Sequence, residues 1–90
     1  MAYNYITRRQ HHYRTQYGIN IDDYNTLFNK QNGCSAICGK HQIEFKIKLH
    51  VDHDHSTGKI RGLLCFNCND GLGRFKDSIE LLSKAKEYLQ

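Results

Sequence analysis

The sequence predicts a small α+β domain: a two-stranded hairpin, a helix directly after it, and further helices on either side. Three observations predict it. Two β-like runs, "IKLHVDHDH" and "KIRGLLC", are joined by "STG", whose small residues suit a hairpin tip. Segments of helical period lie before and after these runs. Four cysteines fall in two close pairs, "CSAIC" before the hairpin and "CFNC" after it. A chain of 90 residues makes one domain, residues 1–90, near the size at which burial alone leaves little stability, so a staple is expected.

Residues 1–32 read as two helices. "YITRRQHHYRTQYG" stops at Gly18, a residue that tolerates the left-handed conformation of helix ends. In "NIDDYNTLFNKQNG", Asn20 is an N-cap, Asp22 and Asp23 suit the positive end of the dipole, and Ile19 is placed to staple onto Tyr24. Tyr24, Leu27 and Phe28 then share a core face. Residues 33–76 hold strand, turn, strand and helix, the helix forming over "CFNCNDGLGRF" despite two glycines that cost stability in its interior. Residues 77–90 form a last helix: Asp77 and Glu80 have capping-box spacing, and Ile79, Leu81, Leu82, Ala85, Tyr88 and Leu89 recur at helical period, a face expected only to pack. There is no linker, repeat or proline.

The cysteine spacing selects metal over disulfides. Cys34 and Cys38 are four apart, Cys65 and Cys68 three apart, and 26 residues separate the inner two. Two close pairs at such a distance suit tetrahedral Zn²⁺, each tight turn giving two thiolates. A zinc knuckle usually reads Cys, two residues, Cys, Gly; in "CSAICG" that puts the first ligand position at Ser35, with Cys34 displaced by one. A spacing of three intervening residues is tolerated in zinc sites, so Cys34 is the expected fourth ligand. A redox role for "CFNC" needs a βαβ unit, which nothing here builds.

"LHVDHDH" puts three His and two Asp on a strand, residue types that fit a pleated sheet poorly. A zinc clamp at the hairpin base draws Asn69 towards this stretch. Asp52 is a hard oxygen ligand and Asn69 a neutral one, a pair suited to Mg²⁺ or Mn²⁺ that keeps water and takes further ligands from a phosphate. His53 is placed to take a proton from an attacking water, and His55 or His50 to contact the phosphate. Strict alternation sets Asp52 and His53 on opposite faces, so a twist or bulge is needed. The plainer alternatives are a solvated His-rich strand edge, and Asn69 as a helix cap. His11, His12 and His41 read as surface residues.

The formal charge is +4, weak in itself because bound zinc and thiolates change it. Its distribution says more: Arg8, Arg9 and Arg14, interleaved with His and Tyr and with no acid in the first twenty residues, suit a phosphate backbone and bases, or else form a solvated helix face. No apolar run approaches a membrane span, and "MAYNYITRRQHHYR" lacks the apolar middle of a signal peptide, which points to the cytoplasm.

With these residues in view, "GCSAICGK" and "LHVDHDHSTGKIRGLLCFNCNDGLGRF" resemble the recombination endonuclease VII family, a branch of the HNH (ββα-metal, His-Me finger) nucleases. The likeness covers residues 33–75 closely and extends upstream through "YGINIDDYNTLFNKQNGC". It implies structural zinc at Cys34, Cys38, Cys65 and Cys68, a catalytic Mg²⁺ or Mn²⁺ at Asp52 and Asn69, His53 as general base, His55 near the phosphate, and DNA as partner. The family branch that resolves four-way junctions carries an acidic residue in the helix where this chain has Leu72, and a long intertwining helical extension. The resemblance therefore implies a nuclease that nicks or cuts duplex DNA, as short phage-type relatives do, acting in the host cytoplasm as a monomer or weak dimer. A Holliday-junction resolvase is the alternative within the enzyme class. The rival from another class is a non-catalytic zinc module binding nucleic acid or protein, which gains nothing from an acidic metal ligand facing phosphates.

Overall fold

The computed structural model describes residues 19–90; the predicted first helix, with Arg8, Arg9 and Arg14, lies outside them. Local chemistry sets the first described element, α1 (Ile21–Lys30). The Asn20 side chain accepts a hydrogen bond from the Asp23 amide at 2.9 Å, and Asp22 and Asp23 fill the first turn. Ile19 and Tyr24 are both buried in one cluster, as a hydrophobic staple requires.

Antiparallel strands β1 (His50–His53) and β2 (Ile60–Leu64) form a two-stranded sheet. Val51 faces Leu63 across it, and these join Ile19, Ile21, Tyr24, Leu49 and Cys65 in the core. Burial of Tyr24 is completed by its hydroxyl, which donates to the Leu49 carbonyl at 2.7 Å. The hairpin tip is built by Asp54, whose Oδ1 accepts from the amides of Ser56 at 2.7 Å and Thr57 at 3.1 Å, with Gly58 at φ +76° behind them. Those two amide bonds hold the Asp54 carboxyl below its ordinary pKa.

One side chain does the work of a strand. Gln31, just after α1, accepts from the Leu63 amide at 2.9 Å and donates to the carbonyls of Leu63 at 3.0 Å and Cys34 at 2.8 Å. It thereby ties the chain after α1 to the outer edge of β2. The approach is close enough that a Cβ on Gly62 would meet the Gln31 carbonyl oxygen at 2.8 Å.

Helix α2 (Phe66–Arg74) follows β2 directly, capped by the Cys65 sulfur, and α3 (Ile79–Tyr88) comes after a turn with Lys76 and Asp77 at positive φ. Two expectations for α3 need correction. Its N-cap is Ser78, whose hydroxyl accepts from the Leu81 amide at 3.1 Å, and not Asp77, whose carboxylate turns back to the hairpin. Nor does the apolar face simply pack: Ile79 is 85% and Tyr88 87% exposed. Helical period specifies a face but not a partner for it. No described helix is long and apolar enough to cross a membrane.

Candidate functional site

The Cys65 turn holds one end of the site. Cys38, Cys65 and Cys68 bring their sulfurs within 4.8 Å of one another, and the Cys38 and Cys65 sulfurs lie 3.8 Å apart. Thiolates on a tetrahedral zinc, with Zn–S about 2.3 Å, sit about 3.8 Å apart, so the three present fit that ion. All four cysteines are free thiols. Burial pushes the Cys65 thiol up, but bonds from the Cys68 amide and side chain, Ser35 and Cys38 outweigh it and bring it from 9.0 to about 7. Cys68 is raised, by burial first and then by its neighbour Cys65. One cysteine thus moves towards the thiolate that metals bind.

Cys34 is not gathered with the other three. Its Sγ donates to the Asn32 carbonyl at 3.4 Å, and its backbone forms an isolated bridge with His41. The adjacent Ser35 is buried instead, its hydroxyl accepting from the Cys65 amide at 3.0 Å.

Beyond this cluster is a cleft of about 320 Å³ lined by Asp52, His55, Asn69, Asp70, Gly73, Arg74 and Asp77. Asp52 comes from β1 and Asn69 from α2, brought together because Cys65 ends the hairpin and starts the helix. Capping falls to Cys65 and not Asn69, which sits in the fourth helical position with its side chain on the cleft. Between Asp52 and His53 the strand register shifts: Asp52 pairs with Gly62 and His53 with Ile60, so Arg61 is the extra residue of a bulge.

The bulge aims Arg61 at Asp52. Its Nε donates to Asp52 Oδ2 at 2.8 Å and its Nη2 to Oδ1 at 3.0 Å, a two-pronged grip on a carboxylate only 10% exposed. Nη2 also reaches Asp77 Oδ2 at 3.0 Å, which His55 Nδ1 approaches at 3.5 Å. The Asp52 bond, against opposing burial and with help from Asp77, raises the Arg61 pKa well above its ordinary value.

The histidines separate. His55 lines the cleft; the His53 ring meets it edge-on at 5.9 Å, off the cleft wall, with its Nδ1 buried and without a hydrogen-bond partner. His50 lies against Phe66 at 6.0 Å, away from the cleft. His41 has a structural task, its Nδ1 accepting from the Ile43 amide at 3.0 Å and its ring packed edge-on to Phe28. Sequence reasoning singled out neither Arg61 nor, for the cleft, Asp77. The only signal for Arg61 was a charge opposite to that of Asp52 somewhere on the facing strand, since Asp52 itself pairs with Gly62; for Asp77 there was none, since a capping-box reading accounted for it.

The fold and the metal-competent cysteines define the class: a cysteine-clamped hairpin and helix with a carboxylate, an amide and imidazoles at their junction. The chain belongs to the recombination endonuclease VII family, whose profile matches residues 10–90. It is 44% identical over 75 residues to the Gene 59 protein of Mycobacterium phage D29, covering 82% of this chain and 45% of that one. To the Gene 59 protein of Mycobacterium phage L5 it is 46% identical over 74 residues, covering 81% and 44%. The chain thus spans a little under half the length of these relatives. No solved structure matches it.

Proposed function

We propose that this chain is a metal-dependent DNA endonuclease of the HNH type, hydrolysing phosphodiester bonds to nick or cut duplex DNA. The observation that carries the reading is that Asp52 and Asn69, seventeen positions apart on a strand and a helix, line one cleft with His55. Family membership supports the reaction class.

In this reading Asp52 and Asn69 hold Mg²⁺ or Mn²⁺, which when bound stabilises negative charge on the phosphate and leaving oxygen. His53 takes the proton of the attacking water; its Nδ1 has no hydrogen-bond partner to give up, and being buried it meets that water only on a turn of the ring. His55, exposed at the cleft mouth and next to Asp77, contacts the phosphate. Cys38, Cys65 and Cys68 keep zinc at the hairpin base, fixing β2 against α2 and so the separation of Asp52 from Asn69.

One observation favours a second reading. Arg61 engages both oxygens of Asp52, which suits a structural salt bridge in a non-catalytic zinc module that binds nucleic acid. Cleavage of supercoiled plasmid with and without Mg²⁺ or Mn²⁺ separates the two. Nicking is expected only with the divalent ion, with losses on the order of 100-fold or more for His53→Ala, Asp52→Ala and Asn69→Ala. His53→Ala cutting at wild-type rate removes the base assignment; no cleavage under any condition leaves the binding module. A branched substrate in the same panel tests junction resolution.

A further inference from the structure

We propose that Ser35, not Cys34, completes the zinc site of this chain, so that three thiolates and one serine oxygen hold the ion. The proposal rests on the structural-zinc part of the reading above and is independent of whether the cleft cleaves DNA.

Four observations converge on Ser35. First, the backbone around it has the form of a zinc knuckle: the Ser35 amide donates to the Lys40 carbonyl at 2.9 Å, the Gly39 amide returns to the Ser35 carbonyl at 2.9 Å, and Gly39 takes φ +75°. Ser35 and Cys38 are then the two ends of the knuckle, three positions apart, the same spacing as Cys65 and Cys68. Second, Ser35 is 2% exposed, a burial that a hydroxyl tolerates only with partners. Third, its partner belongs to the cluster: the amide of Cys65 itself donates to Ser35 Oγ at 3.0 Å. Fourth, Cys34 faces elsewhere. It forms a strand-like bridge with His41, and neighbouring residues of extended backbone send their side chains to opposite sides. With the Ser35 hydroxyl held on the Cys65 amide, beside the cluster, Cys34 turns to the Asn32 carbonyl. Bringing Cys34 in means turning Ser35 out and breaking the knuckle bonds.

An oxygen in place of a fourth sulfur has definite consequences. Soft thiolates suit zinc better than a hydroxyl, so this site holds its ion more weakly than a four-thiolate one. It also leaves Cys34 outside the metal as a free thiol.

The test uses the full chain with bound Zn²⁺, and with Co²⁺ in its place as a spectroscopic probe. Cys34→Ala is expected to keep one metal per chain, an unchanged chelator-competition affinity and an unchanged sulfur-to-cobalt charge-transfer band. Ser35→Cys is expected to tighten Zn²⁺ at least tenfold and raise that band by about one third, as four thiolates replace three. Alkylation of the zinc-loaded wild type should label Cys34 alone. The proposal is overturned if Cys34→Ala weakens the band and loosens the metal, if Cys34 is protected with the other three, or if Ser35→Cys leaves the spectrum unchanged. A wild-type chain that binds no zinc removes the zinc reading itself, while plasmid nicking, measured separately, can still succeed or fail.

Discussion

Arg61 places a fixed positive charge on Asp52, the carboxylate expected to meet a divalent ion. Each Asp52 oxygen has a second lone pair, but a cation arriving there also meets the guanidinium's repulsion unless Arg61 leans on Asp77. Removing the guanidinium therefore has opposite effects on folding and on metal binding. Without metal, Arg61→Ala leaves a nine-tenths-buried carboxylate without its countercharge. Breaking a buried pair costs about 3–5 kcal/mol, and Arg61, 38% exposed, is screened enough to bring the loss to roughly 1–3 kcal/mol. With Mg²⁺ present the ion supplies the missing charge, and the deficit should shrink. Urea melts with and without Mg²⁺ measure it; an equal deficit in both would mean that the ion does not reach Asp52. That Asp52 and Asn69 come to one cleft was legible in the sequence, because metal-binding side chains on an unlikely strand ask for a reason and the second cysteine pair opens the helix that carries Asn69. Arg61 was not, because its aim depends on a bulge, and the need for one was readable while its position in β2 was not.

At the scale of elements, Gln31 substitutes for a third strand. Leu63 is fully buried, and the amide of Gln31 pairs with its N–H, shares its C=O with the Ala36 amide, and also holds Cys34. Gln31→Ala should cost about 1–3 kcal/mol in denaturant melts, because it leaves the buried Leu63 N–H without its partner. Gln31→Glu keeps the acceptor for the Leu63 amide but loses both donated bonds, so it should destabilise as well; a neutral Gln31→Glu would show that the donated bonds contribute nothing. The hairpin tip has its own pH signature. The folded Asp54 pKa lies below the usual 3.8, so the tip's added stability is present above that value and fades as pH falls through the lower folded one. NMR titration should show the Ser56 and Thr57 amides shifting with Asp54, and a titration at or above the usual value would contradict it. Helix α1 was readable from sequence because its cap, first-turn acids and staple are all local. The start of α3 was displaced by one because Asp77 and Ser78 are both competent caps, and only the tertiary pull of Arg61 and His55 on Asp77 decides between them.

Across the whole molecule, the described core is a handful of side chains between α1 and a two-stranded sheet, too little to fix α2 by burial alone. The cysteine cluster joins β2, the knuckle and α2, so, with zinc held there as proposed, stripping it with a strong chelator should lower the melting temperature and loosen α2 first, seen as faster amide exchange from Asn67 to Arg74. A melting temperature indifferent to chelation would assign the hold to packing. On the proposed nuclease reading, substrate binding is distributed differently, because the arginines in and beside the cleft are paired internally: Arg61 with Asp52 and Asp77, Arg74 with Asp70 at 2.8 Å. Cations already committed to carboxylates release few counterions from DNA. On that reading the salt-dependent part of the affinity comes largely from other cations, and the acid-free run with Arg8, Arg9 and Arg14 is one cluster of them that the sequence supplies. Changing those three to Ala should weaken binding to unrelated duplexes alike and flatten the slope of log K against log salt by about 0.9 for each phosphate left without its arginine. Arg74→Ala should change that slope little. If the triple change leaves the slope intact while Arg74→Ala flattens it, the cleft's own cations neutralise the phosphates and the first twenty residues present a solvated face.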